Sequence, residues 1–230
     1  MPTQNRRPTL AALALAALPA LALPALSACG GTKIWINEKL GHEKREQLVS
    51  SVAEARDQQE KAKVAFASAL EEFLALTEGD AATADLEAKY RKIESAYKNS
   101  ATRAEAVHTR IATVERVAKS LFKEWENELG QYSSDNLRRS SQEQLDATRQ
   151  RYTTLVGAMR DAAAKMDPVL AAFKDQTLFL KHNLNARAIA SLETDLASIQ
   201  TEVAGLIKEM EASIAEANAF IDAMQASVPE

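Results

Sequence analysis

The sequence predicts an all-α protein, an elongated four-helix antiparallel bundle with coiled-coil-like packing. Apolar residues recur in alternating steps of four and three through four long segments, which places them along one seam of each helix. The composition agrees, because 230 residues include only seven Gly and six Pro and are rich in Ala, Leu, Glu and Lys. Short polar turns separate the four patterns, so successive helices are expected to be antiparallel.

The N-terminal residues have the features of an export signal. Two arginines precede an apolar run over residues 10–26, which two prolines interrupt and which is too short to span a bilayer. The run ends in a tetrad that resembles the lipobox of bacterial lipoproteins, formed by Leu26, Ser27, Ala28 and Cys29. That resemblance implies a signal peptide over residues 1–28 and an acylated Cys29 as the first mature residue. The alternative is an ordinary secretory signal that leaves a free thiol.

Acylation of Cys29 predicts the location of the protein. Three acyl chains exceed the two signals that stable membrane anchoring requires. Cys29 is the single cysteine, so a disulfide framework is excluded. By analogy with lipoprotein sorting, Gly30 in place of Asp after the cysteine favours the outer membrane. We therefore expect a lipid-anchored protein of the bacterial cell envelope that faces the periplasm.

Residues 29–42 are expected to form a lipidated tether. Trp35 is the candidate for contact with the membrane interface, because Trp favours the headgroup region. The alternative is that Trp35 packs on the end of the bundle together with Ile34 and Ile36. The sequence leaves both interpretations open.

Residues 43–228 are expected to form the bundle. Helix one runs from about Glu43 to Leu76, and its seam includes Gln59, a polar residue of the kind that fixes register. Asp80 or Thr83 is expected to cap helix two. Helix two carries the longest seam, which extends without Gly or Pro from Leu86 to Trp125, and the helix ends near Leu129 at Gly130.

Helix three is expected to begin between Ser134 and Ser140 and to contain Pro168. Because the seam keeps its phase across Pro168, one continuous but kinked helix is expected rather than two helices. Residues 183–185 form the last turn, and helix four carries a seam from Ile189 to Met224.

Residues that would support catalysis or metal binding are not grouped in this sequence. His42, His108 and His182 lie in three different segments, and none has the partners of a metal site. Glu105 and His108 have the Glu-x-x-His spacing of di-iron bundles, but that site needs two such pairs. With a formal net charge of -4, general nucleic-acid binding has little support. We expect no catalytic residue, no metal and no cofactor.

Arginines make the first half of helix three locally basic. The candidates for contact with an anionic surface are Arg138, Arg139, Arg149 and Arg151. The alternative is a solvated face whose arginines pair with acidic neighbours. Because helix four is rich in Glu and Asp, helices three and four are expected to complement each other electrostatically.

Three segments of the chain resemble an uncharacterised family of exported bacterial helical proteins, the domain-of-unknown-function family DUF2959. They are KREQLVSSVAEARDQQ from Lys44, LFKEWENELGQYSSDNLRRSS from Leu121 and DQTLFLKHNLNARAIASL from Asp175. The resemblance implies a secreted all-helical protein and brings no activity, cofactor or catalytic residue.

The predicted lipid anchor, the length of the helices and the lack of grouped catalytic residues together predict a non-enzymatic structural or scaffolding lipoprotein. Its partner would be an envelope protein or the cell wall. One alternative is a peripheral lipid-binding or membrane-shaping module that uses the arginines of helix three, and a more distant one is an envelope-stress chaperone. A homodimer is left open, because Phe122, Phe179 and Ile207 lie next to the seams and indicate a second apolar stripe.

Overall fold

The computed structural model describes residues 31–77 and 85–226, with side chains described from residue 43 onward except at 186–188, 190, 191, 193 and 194. These residues form four α-helices and no strand: α1 (Gly31–Thr77), α2 (Leu86–Leu129), α3 (Asp135–His182) and α4 (Ala186–Ala226). The predicted all-α fold class is therefore confirmed. The predicted signal peptide and Cys29 lie outside the described residues.

The helices form a ring in which each contacts two others. Helix α1 packs against α2 and α4, and α3 packs against the same two helices. The seam residues predicted from the heptad pattern meet in the centre, where most of them are buried. Phe173 of α3 crosses the core to stack on α1, with ring centroids 6.2 Å from Phe66 and 5.1 Å from Phe73. The apolar seams, once buried, supply the main stabilisation of the bundle.

Helices α1 and α2 approach each other closely because small residues line their contact. Ala62, Ala65 and Ala69 of α1 are buried opposite Ser100 and Ala104 of α2. The hydroxyl of Ser100 lies 3.1 Å from the carbonyl oxygen of Ala65 and 3.0 Å from that of Ala96 in its own helix. This hydroxyl therefore joins the backbones of two helices without leaving a buried polar group unpaired.

Helices α1 and α4 close the ring through a buried polar pair. Gln59 and Ser213 are both fully buried at seam positions. Nε2 of Gln59 donates to Oγ of Ser213 over 2.9 Å, and the Ser213 hydroxyl donates to Oε1 of Gln59 over 3.0 Å. Because each side chain satisfies the other, sliding α4 along α1 would leave both groups unpaired.

The helix ends differ in two places from those predicted. Helix α1 begins at Gly31 and not near Glu43, so the segment expected as a tether is largely helical. Gly41 is the residue of this segment that most disfavours a helix, but an internal Gly costs only about 1 kcal/mol relative to Ala. Helix α2 is capped by Asp85, whose carboxylate accepts from the Ala88 amide over 2.9 Å. Asp80 and Thr83, the expected caps, lie outside the described residues.

Other predicted boundaries are confirmed. Helix α2 ends at Leu129 with Gly130 as its C-cap, and Ser134 caps α3 at the first of the expected positions. Helix α3 continues through Pro168 as one helix. The turn over residues 183–185 separates it from α4.

Helix α4 is shorter than its neighbours at one end of the bundle. Nη1 of Arg56 donates to Oδ1 of Asn218 over 3.0 Å, which fixes the register of α1 against α4. Counting eight residues along each antiparallel helix places Ala226, the last residue of α4, level with Leu48. We call the end beyond this level the base: residues 31–47 of α1, 121–129 of α2 and 135–147 of α3. The base is built from three helices.

Candidate functional site

The base replaces the hydrophobic seam with a polar layer. Arg45 lies one seam step before Leu48, and Glu128 lies one seam step after Trp125. The Arg45 guanidinium stacks on the indole of Trp125, with Cζ 4.1 Å from the ring centroid. Nε1 of Trp125 donates to Oγ of Ser141 on α3 over 2.8 Å. One aromatic side chain thus joins all three helices of the base.

Charges of both signs surround this indole. Lys44 of α1 forms an ion pair with Glu124 of α2. Burial raises the pKa of Glu128, the negative charge of Glu124 adds to the rise, and Arg45 opposes it. Burial likewise lowers the pKa of Arg45, and Glu128 opposes that change. The layer closes the base of the core with nearly balanced charge, an arrangement that suits a structural role.

The four predicted arginines of α3 do not form one continuous face. Arg138 pairs with Asp135 in its own helix over 2.5 Å, and Arg149 pairs with Glu126 of α2 over 2.6 Å. Arg139 and Arg151 have no ion-pair partner among the described residues. At 100° per residue these two lie about 120° apart around α3. Of the four arginines proposed to contact an anionic surface, only Arg139 and Arg151 therefore lack a carboxylate partner among the described residues, and they point in different directions.

The charge complementarity expected between α3 and α4 is seen at Lys165 and Glu209, whereas the arginines of this stretch contact α2. Arg160 contacts Glu115 of α2 over 2.7 Å, as Arg149 contacts Glu126. Between α3 and α4, the structure shows Lys165 paired with Glu209 over 2.8 Å. The hydrogen bond from Lys165 lowers the pKa of Glu209. Arg149 and Arg160 pair with α2 because their heptad positions place them on the flank of α3 that faces α2.

The polar side chains that could support a reaction lie apart from one another in the described residues. Nε2 of His108 lies 3.7 Å from Oδ1 of Asp167 on α3, and both side chains are exposed. Within residues 43–77 and the described parts of 85–226, no three His, Cys, Asp or Glu side chains are grouped to hold a metal ion. Two surface depressions at the base are wide and open, one along residues 43–50 and one along residues 129–142.

The three apolar residues that indicated a dimer have different surroundings. Phe122 is buried and meets Tyr152 edge-on with ring centroids 5.3 Å apart, and Ile207 packs against the core. Phe179 is exposed beside Leu178. Phe122 therefore belongs to the interior, Ile207 is partly buried against the core, and only Phe179 of the three is exposed.

The structure leaves the predicted anchor untested. Leu26, Ser27, Ala28 and Cys29 lie outside the described residues, and Trp35 belongs to α1 with its side chain outside them. Among the helices that the structure describes, none has an apolar stretch long enough to cross a membrane.

Sequence reasoning missed the polar layer of the base. Continuing the heptad pattern of α1 backward from Leu48 reaches Arg45, and continuing that of α2 forward from Trp125 reaches Glu128. A charged residue at the next seam position of each helix was the signal in the sequence that could have indicated this polar layer.

Comparison with known proteins gives a family without an assigned activity. Residues 35–224 match a family described as "Protein of unknown function (DUF2959)". None of the curated proteins matches the chain.

Proposed function

Since the chain belongs to the DUF2959 family, whose description assigns no activity, we propose from its own residues that it is a lipid-anchored scaffolding protein of the bacterial cell envelope. Cys29 carries the acyl chains, and the bundle projects into the periplasm from the outer membrane. It presents its long sides to an envelope protein or to the cell wall.

The observation that carries this proposal is that the long helix α1 follows the predicted lipobox almost immediately. Helix α1 begins two residues after Cys29 and contains 47 residues, which corresponds to about 70 Å. An anchor followed so closely by a long helix holds one end of the bundle near the membrane and extends the other end away from it.

The interior of the bundle supports a structural role. Its centre is filled by large side chains such as Phe66, Phe73 and Phe173, all fully buried. The ion pairs described above lie between helices on the surface, where they contribute little stability but keep the rod well solvated. A partner would therefore be recognised along the outside of the rod.

Lipid attachment is tested by metabolic labelling with an alkyne-bearing fatty acid. Label is expected on the wild-type protein and absent from the Cys29→Ser variant, which would also leave the membrane fraction. Unlabelled wild-type protein in an acylation-competent bacterium would contradict the anchor.

The scaffolding role is tested by cross-linking in cells. A photo-reactive residue in place of Val64, which is exposed in the second half of α1, is expected to capture an envelope component. The same residue at Thr109, exposed on α2, samples another side of the rod. Recovery of no envelope component from any exposed side would contradict scaffolding while leaving lipid attachment intact.

The peripheral lipid-binding alternative would use the arginines of α3. It has weaker support because Arg138 and Arg149 are held by carboxylates. Equal binding of the protein lacking acyl chains to neutral and anionic vesicles would remove it, whereas salt-sensitive binding to anionic vesicles would favour it.

A further inference from the structure

We propose that residues 130–142, here called the base segment, contact the headgroup layer of the membrane that holds Cys29. The base segment comprises the turn between α2 and α3 and the first two turns of α3. This inference rests on the proposed lipid anchor and names the surface of the protein that meets the bilayer.

The first argument is the chemistry that the base segment exposes. Tyr132 is 39% exposed and Leu137 is 60% exposed, although both are large apolar residues. Arg139 is exposed and has no ion-pair partner among the described residues, and Arg138 is held by Asp135. A tyrosine, a leucine and an arginine exposed within one short segment suit the boundary between acyl chains and phosphate groups.

The second argument explains why Leu137 is uncovered. Leu137 lies on the inward flank of α3, one helical turn before Ser141, which contacts Trp125 of α2. Farther along the bundle α4 covers this flank, as the Lys165–Glu209 ion pair shows. Since α4 ends at Ala226, no described residue of α4 reaches the level of Leu137.

The third argument is distance from the anchor. Lys44 lies between Ser120 and Glu124 of α2, so α2 ends five to nine residues beyond the level of Lys44. Helix α1 begins thirteen residues before Lys44. At 1.5 Å per residue the start of α1 lies about 10 Å beyond the end of α2. That difference is comparable to a headgroup layer of roughly 5–8 Å, so the α2–α3 turn lies close to the membrane surface.

The test uses the full-length acylated protein in vesicles of phosphatidylethanolamine and phosphatidylglycerol. Acylation blocks the single native cysteine, so Leu137→Cys introduces one reactive thiol for a fluorophore. Val64→Cys and Leu178→Cys are matched controls, because these side chains are 61% and 48% exposed but lie more than two thirds of the way along α1 and near the far end of the rod. A lipid with a spin label on its headgroup serves as the quencher.

The expected result is severalfold stronger quenching at position 137 than at positions 64 and 178. Arg139→Glu in the Leu137→Cys protein is expected to reduce that quenching. Arg151→Glu, which changes an equally unpaired arginine twelve residues farther from the start of α3, is expected not to.

Three results would overturn the inference. Equal and weak quenching at all three positions would place the base segment away from the membrane while the anchor stands. Equal and strong quenching would mean that the rod lies along the bilayer. A mass spectrum showing unmodified Cys29 in the same preparation would refute the lipid anchor and this inference with it.

Discussion

Gln59 and Ser213 allow the energy of one buried polar contact to be measured. Ser213→Ala removes the hydroxyl and leaves the carboxamide of Gln59 buried without its partner. An unsatisfied buried polar group costs about 1–3 kcal/mol, so we expect a loss of roughly 2 kcal/mol in the free energy of unfolding. Gln59→Leu is expected to cost less free energy of unfolding than Ser213→Ala. The Ser213 hydroxyl that loses its partner can instead donate to a backbone carbonyl of the preceding helical turn.

The double variant Gln59→Leu/Ser213→Ala replaces both polar groups with apolar ones. We expect it to be nearly as stable as the wild type or more stable, because no buried group is then left unpaired. The coupling energy between the two sites would be about 1–2 kcal/mol, within the range for residues in contact.

Urea unfolding followed by circular dichroism at 222 nm measures these differences. Asn218→Ala is the matched control, since Asn218 also links α4 to α1 through Arg56 but is exposed, and its loss is expected to cost less than about 0.5 kcal/mol. A neutral Ser213→Ala variant, or a double variant whose loss equals the sum of the single losses, would refute the reasoning.

The remaining predictions concern the core, the proline and the base. Phe173→Ala is expected to cost about 3–5 kcal/mol in urea unfolding because it opens a cavity against two stacked rings, whereas Phe179→Ala, at an exposed position, is expected to cost under about 1 kcal/mol. Pro168→Ala restores a backbone donor inside α3 and is expected to stabilise by about 1–3 kcal/mol, with an unchanged or lower midpoint as the contrary result. Burial raises the pKa of Glu128, so its folded form favours the proton, and the stability it contributes in acid is lost as the pH rises through the folded-state pKa. Glu128→Gln is therefore expected to raise stability slightly at pH 7 and to leave it unchanged in acid, where Glu128 carries a proton in both states; Glu143→Gln, exposed on α3, is the matched comparison variant.

The sequence predicted the fold well because its core is periodic. Each seam residue from Leu48 to Leu76 is buried, as are those of α4 from Ile189 to Met224. Gln59 was correctly placed in the seam, but its partner Ser213 could not be paired with it before the register of α1 and α4 was known. A heptad pattern specifies which face is buried and leaves open how far two helices are shifted.

Helix ends and ion pairs were predicted less well. The start of α1 was misplaced because Gly41 and His42 suggest a boundary locally, while the cost of one glycine is small within a 47-residue helix. The sequence did not identify Glu126 and Glu115 of α2 as the partners of Arg149 and Arg160, because net charge per segment does not specify which flank each side chain occupies.

The ring order of the helices has a consequence for biosynthesis. The contact between Gln59 and Ser213 joins positions 154 residues apart, and the two helices that it joins are the first and the last to leave the ribosome. Until α4 is made, the apolar seam of α1 can be covered by α2 and by Phe173 of α3 but not by α4. A chain that lacks α4 therefore leaves part of that seam exposed, and truncated products are expected to be cleared by proteases rather than to accumulate.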